Sequence, residues 1–282
     1  MTARWRRTVR ALALPGIAVL AWAGRDFFTI GLDRLDLAMH GKYTVEQRLA
    51  QFGGDARTRL EPYFMAAGLP FPPQELAFLA FKQERRLEVF ARSADGPWRQ
   101  VRDYPIQGAS GRAGPKLREG DRQVPEGLYR VVLLNPNSRF HVSLRLDYPN
   151  AWDRKMGLRD GRGDLGSDIM IHGKSVSVGC LAMGDTAAED LFTLAALTGP
   201  ERIRVWIGPW DWRGQPRTGL PEDAPAWTAG LYEKLREEIG GIRQAGRLKP
   251  PGGPPVRELS PGQRRGSHCP SCRASCSSNC PS

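Results

Sequence analysis

One stretch concentrates residue types that do chemistry: Ile171-His172-Gly173-Lys174-Ser175-Val176-Ser177-Val178-Gly179-Cys180-Leu181-Ala182-Met183. Cys180 follows His172 by eight residues, and both lie at the edges of one Gly/Ser-rich loop. A thiol needs a base or a cationic neighbour to act as a nucleophile at neutral pH, and a histidine supplies either. Loop amides can hold an oxyanion, and Gly179 lets the backbone approach a substrate closely. A cysteine just before a helix also gains from the positive end of the helix dipole. The alternative is plain: Cys180 as a small buried hydrophobe, in a spacing that chance also produces.

The elements around this loop must hold it. Asp168-Ile-Met-Ile-His172 reads as a short buried strand, which would fix the imidazole. Asp185 to Leu197 reads as a helix capped by Asp185 or Thr186. Before them, residues 44–67 read as helical, with a Thr44/Gln47 capping box and a split at Gly53-Gly54. Gly68-Leu-Pro-Phe-Pro-Pro73 is a break. Glu75–Phe81 and Arg86–Arg92 read as a hairpin, and Trp98–Tyr104 as a further strand. Gly127–Leu134 and Phe140–Leu146 are two more, with Asn135-Pro-Asn-Ser138 as the turn between them. Arg202–Ile207 is a late strand, Trp212–Pro225 a surface loop and Ala229–Arg243 a last amphipathic helix. Short strands in the middle with flanking helices give an α+β class.

The 282 residues carry a net charge of +11, with 41 Lys+Arg against 30 Asp+Glu. Eight of those charges lie in residues 1–23 and 249–282. The body is therefore only mildly basic, and no aromatics interleave with a basic patch. A nucleic-acid binder is not expected. Four of the five cysteines, Cys269, Cys272, Cys276 and Cys280, lie in the last fourteen residues, which leaves Cys180 alone in the body. The tail from Lys249 is Pro-, Arg- and Cys-rich and reads as disordered. Its two C-x3-C spacings leave little room for a zinc knuckle, so free thiols or mixed disulfides are the expectation there.

At the N-terminus, Arg4, Arg6, Arg7 and Arg10 precede a 13-residue apolar run, Ala11–Ala23, ending in Ala21-Trp22-Ala23. That is the pattern of a secretory leader. The division expected is a leader or N-terminal anchor over 1–23, a helical segment over 24–73, a catalytic domain over 74–248 and the tail over 249–282. Apolar residues resume at Phe27-Phe28, so membrane contact would come only through an uncleaved leader.

Ile171-His172-Gly173 followed by Ser177-Val178-Gly179-Cys180 and Met183 resembles the active-site motif of the L,D-transpeptidase catalytic domain (YkuD-like) family. Val178 stands where many members have a second histidine, and Ala182 where many have an arginine. The compact linker is similar to that of the YafK-like murein transpeptidase branch. Gly114-Pro-Lys116 with Gly120-Asp121, Pro125-Glu-Gly127-Leu-Tyr129, Phe140-His141-Val-Ser-Leu144 and Tyr148-Pro-Asn150 resemble that branch's other blocks. The resemblance covers roughly Glu75 to Trp212.

The resemblance implies a mainly-β catalytic core with flanking helices. It implies an exported periplasmic or cell-envelope enzyme with no metal or organic cofactor, acting on peptidoglycan stem peptides. Cys180 would be the nucleophile and His172 the general base, with backbone N–H groups at Gly179 and Cys180 holding the oxyanion. The thioester would pass to an amine, or to water if the enzyme is a hydrolase, for instance one releasing a wall-attached protein. His141, on a strand face with Ser143, would line the cleft or hold His172, or be structural. Ser177 would orient the loop or meet substrate. Lys116 and Arg118 would meet stem-peptide carboxylates, or form a solvated cluster. Tyr148 completes the expected substrate contacts, with a core position as its alternative.

Overall fold

The computed structural model describes residues 26–213 and 219–244, with side chains through residue 242. The leader, its cleavage motif and the Cys-rich tail lie outside the described residues.

Helix α1 covers residues 26–40. After it, α2 (Val45–Arg48) opens on the expected capping box: Thr44 and Gln47 satisfy each other's backbone N–H groups. Gly53-Gly54 does not split the helical stretch. A π turn (Leu49–Gly53) carries α2 into α3 (Gly54–Ala66) without a break. Phe52, Ala56, Leu60 and Phe64 from this stretch enter the same core as the sheet, which joins it physically to the domain that follows.

The described strands form one nine-stranded sheet in the order β3-β2-β1-β9-β5-β6-β7-β8-β4. The hairpin β1 (Glu75–Phe81) and β2 (Arg86–Arg92) pairs in full register. β3 (Arg99–Pro105) flanks β2, and β9 (Ile203–Gly208) runs parallel to β1. β1 is a continuous apolar run because both of its faces are covered. Leu76, Phe78 and Ala80 face a core shared with α3 and α5 (Asp185–Thr198). Ala77, Leu79 and Phe81 face a second core closed by α6 (Thr228–Gln244) through Leu231, Tyr232, Leu235 and Ile239. Each fully buried large side chain of this kind contributes roughly 1.5–3 kcal/mol.

Three further expectations change. β5 (Gly127–Ser138) runs through Asn135-Pro-Asn-Ser138, because Asn135 and Ser138 still pair with Ser143 and His141 of β6 (His141–Leu146); the turn falls at Arg139-Phe140. The polar helix α4 (Ala151–Arg159) follows, opened by an Asn150/Asp153 capping box. Trp212 is not surface loop: its ring packs against Trp210 and Tyr232 at 6.3 and 5.9 Å. The short strands β4 (Gly108–Ala109), β7 (Met170–His172) and β8 (Leu181–Ala182) complete the sheet at the edge that carries the Cys/His loop.

Candidate active site

Strand register sets the histidine and the cysteine on neighbouring strands. β7 and β8 are parallel neighbours with Ile171 beside Leu181 and His172 beside Ala182. Cys180 immediately precedes β8, so it stands two residues back from His172 on the adjacent strand. By the period-two rule both side chains are directed to the same face. β4 lies antiparallel on the other side of β8, with Ala109 opposite Leu181. That register sets Ser110 opposite Cys180.

The connecting loop is fixed at many points. Met183 N–H donates to the His172 carbonyl and Gly184 N–H to the Lys174 carbonyl, both at 2.8 Å. Asp185 does not cap α5, whose N-cap is Gly184. Its carboxylate instead accepts the Lys174 backbone N–H and pairs with the Lys174 ammonium, each at 2.9 Å. Asp33 of α1 takes the same ammonium at 2.8 Å, and Asp26 of α1 accepts the Ser175 N–H at 2.8 Å. Gly173 is needed because a Cβ there would lie 2.6 Å from an Asp185 oxygen and 2.8 Å from the Phe140 carbonyl.

His172 is 1% exposed, stacks on Phe140 at 4.6 Å and has its Nδ1 2.6 Å from the Gly173 carbonyl oxygen. A carbonyl only accepts, so Nδ1 carries the proton and Nε2 is left as the basic nitrogen. Burial pushes the imidazole below its ordinary 6.5, against the opposing pull of the Gly173 hydrogen bond and Asp185. It is therefore a neutral base at pH 7.

Cys180 is the free cysteine of the described residues. Its Sγ donates to the Asp168 carbonyl at 3.6 Å. Burial raises the thiol above its ordinary 9.0; a backbone contact at Met170 and the more distant Lys116 charge pull the other way. The resting pair is thus a protonated thiol and a neutral imidazole. In that protonation state a thiol and an imidazole can react only by general-base catalysis, with the proton passing to nitrogen as sulfur attacks.

The amides expected to hold an oxyanion are not open. Gly179, at φ +89°, donates its N–H to Ser110 Oγ at 2.6 Å. Cys180 N–H donates to Ser177 Oγ at 3.1 Å, and that hydroxyl donates on to the Cys180 carbonyl at 2.6 Å. Serine hydroxyls occupy both donors at rest, so an incoming carbonyl oxygen must displace them. Ser177 is accordingly bound to the backbone of Cys180.

The remaining expected contacts are distributed elsewhere. His141 does not hold His172; its Nε2 lies 3.1 Å from Glu189 and its ring packs against Phe52. Lys116 is buried, donating to Asp121 at 2.7 Å and the Arg118 carbonyl at 2.8 Å. Asp121 also accepts the N–H groups of Leu117, Arg118 and Gln123. Burial would raise that carboxyl, but these donors lower it overall. Lys116 therefore builds the loop before β5 and reaches Cys180 only through its field. Tyr148 lies in the core, its hydroxyl donating to the Leu165 carbonyl at 2.8 Å. Arg118 is exposed.

Ser110, Phe140 and Glu126 are the site's unforeseen supports. Glu126 accepts from Gly114 N–H and Tyr232 Oη and pairs with buried Lys82 at 3.0 Å, while Lys82 also donates to the Gly114 and Val124 carbonyls. Together they pin the loop that presents Ser110. Phe140 and Glu126 stand in the motif blocks, but only the folded structure shows what they touch.

The model of YkuD, the L,D-transpeptidase catalytic domain, matches residues 78–207. Over those residues the chain is similar to the YkuD family. The matched segment runs from β1 to β9 and contains His172, Gly179 and Cys180. The chain is 36% identical over 134 residues to "Putative L,D-transpeptidase YafK" of Escherichia coli K12, covering 46% of this chain and 52% of that protein. The protein of the same name in strain O157:H7 matches equally. The chain spans about half the length of these curated relatives. Among solved structures, the helical cell shape determining protein Pgp2 of Campylobacter jejuni aligns at 23% identity and a TM-score of 0.40, covering 49% of this chain and 48% of that one. Mycobacterium tuberculosis L,D-transpeptidase 1 aligns at 14% and 0.28, over 48% of this chain and 62% of that one. Scores at this level carry no functional detail.

Proposed function

We propose that the protein is an exported cysteine L,D-transpeptidase that remodels or cross-links peptidoglycan in the periplasm or cell envelope. The observation that carries this reading is the strand register that sets Cys180 two residues back, one strand over, from a buried His172 within the segment similar to the YkuD family. The thiol leaves the Asp168 carbonyl and gives its proton to His172 Nε2 as sulfur bonds to the scissile carbonyl carbon of a stem peptide. The carbonyl oxygen becomes an oxyanion and takes the Gly179 and Cys180 N–H groups from the two serine hydroxyls. The carbon–nitrogen bond then breaks, the leaving amine takes the proton from His172, and a thioester remains on Cys180. An acceptor amine attacks that thioester, its proton returns through His172, and the thiol is regenerated. No step requires a metal or organic cofactor.

Transfer is favoured over hydrolysis by the similarity of residues 78–207 to L,D-transpeptidases. Incubation with defined muropeptides tests this, with cross-linked dimers as the expected product. Shortened monomers alone would instead identify a hydrolase of the same fold. Export is tested by fractionation of cells making the full chain, the protein being expected outside the cytoplasm.

A further inference from the structure

Helix α1 has two unlike faces. Its inner face holds the active-site loop: Asp26 binds Ser175 and Asp33 binds Lys174, while Ile30 is buried. Its outer face carries Phe27, Phe28, Leu32, Leu35 and Met39, each 49–70% exposed. Phe28, Leu32, Leu35 and Met39 are spaced four, three and four residues apart, which draws one stripe along the helix. Gly31 and Ala38 fill the same exposed face, and Arg34 is its charged member. The helix is about 22 Å long, so the stripe is a continuous apolar surface of a kind that free soluble faces rarely keep.

The sequence directly before α1 says what covers it. Ala11–Ala23 is an apolar run of 13 residues, preceded by four arginines. Thirteen residues are too few to span a bilayer, which takes about 20. No helix among the described residues is long and apolar enough to cross a membrane. An apolar run and an adjoining amphipathic helix are, however, two signals of the sort that together give stable interfacial anchoring. The stripe is built of Phe, Leu and Met, with no polar row that would set a register against a protein partner.

We propose that α1 lies in the plane of a lipid bilayer with Phe27, Phe28, Leu32, Leu35 and Met39 at the headgroup–acyl boundary. Because the opposite face binds Lys174 and Ser175, the nucleophile loop is held one helix diameter, about 10–12 Å, from the membrane surface. This placement is independent of the chemistry at Cys180.

The test uses the full chain and vesicles of phosphatidylethanolamine and phosphatidylglycerol. A photoreactive benzoylphenylalanine is placed at Phe28 or Leu35, with Met65, exposed on α3, as control. Lipid adducts at the first two positions, at least tenfold above the control, are expected. Phe28→Asp with Leu35→Asp is expected to lower the vesicle-bound fraction about tenfold while thiol labelling at Cys180 persists. Cross-links from Phe28 or Leu35 to a second copy or to the chain's own leader, equal lipid adducts at Met65, or unchanged flotation of the double variant would each overturn the proposal.

Discussion

Asp190 is a buried acid and Cys180 a half-buried one, and loss of solvent raises the pKa of each for the same physical reason. The protein surrounds them differently. Asp190, on α5, meets Arg59 at 2.8 Å, Arg102 at 3.3 Å and the Tyr104 hydroxyl at 3.0 Å. Cys180 meets a backbone carbonyl, and its histidine meets a carbonyl and a phenyl face. Where α3, β3 and α5 must be tied together, the fold supplies opposite charge. Where the proposed chemistry needs a proton still on sulfur and a base still neutral, it supplies neutral partners. Opposite charge at the loop would make a resting ion pair; here the loop's cation, Lys174, is taken up by Asp33 and Asp185.

The largest expected break in this contrast is His172→Gln. It should lower acylation of Cys180 by about 10²–10⁴-fold while thermal unfolding moves little, as measured by stopped-flow acylation and calorimetry. Asp190→Ala should do the reverse: about 3 kcal/mol of stability lost, because two guanidinium groups are left facing an empty site. Denaturant titration measures this, and Asp190→Asn should recover part of it. Phe140→Leu should lower acylation about two- to tenfold by releasing the stacked imidazole, and a shift in melting temperature without any rate change would remove Phe140 from the site.

The smallest effect is in pH. The imidazole of His172 is depressed in the folded state, so the acid limb of acylation should have a midpoint below 6.5. The unfolded chain binds that proton more readily, so the stability it contributes is lost as pH falls below 6.5. Asp153 runs oppositely. Burial lifts it to about 6, so its cost appears as pH rises from its ordinary 3.8 through 6. Asp153→Asn should therefore stabilise by about 1 kcal/mol at pH 8 and not at pH 3, read by denaturant titration at the two pH values.

The contrast also explains what was legible in the sequence. The hairpin β1–β2 and the Cys/His loop are local: apolar runs, a turn, and residues eight apart. The supports are not local. Ser110 reaches Gly179 across 69 residues, and Arg59 reaches Asp190 across 131. Nothing near Ser110 in the chain distinguishes it from a turn serine. β5 outruns its apolar signal because pairing with β6 carries Asn135–Ser138 along, and α4 hides because its capping box opens a mostly polar helix. Tyr148 and Lys116 were visible as polar side chains beside a motif, but the residues that occupy them, Leu165 and Asp121, follow from folding.

The central claim is that Cys180 is the acylated nucleophile. Its most direct measurement is peptide-mapping mass spectrometry of the full chain after incubation with a carbapenem. One adduct on the peptide containing Cys180, absent from Cys180→Ala, is the result expected. An adduct confined to Cys269, Cys272, Cys276 or Cys280, or labelling at Cys180→Ala equal to that of the natural chain, would contradict it.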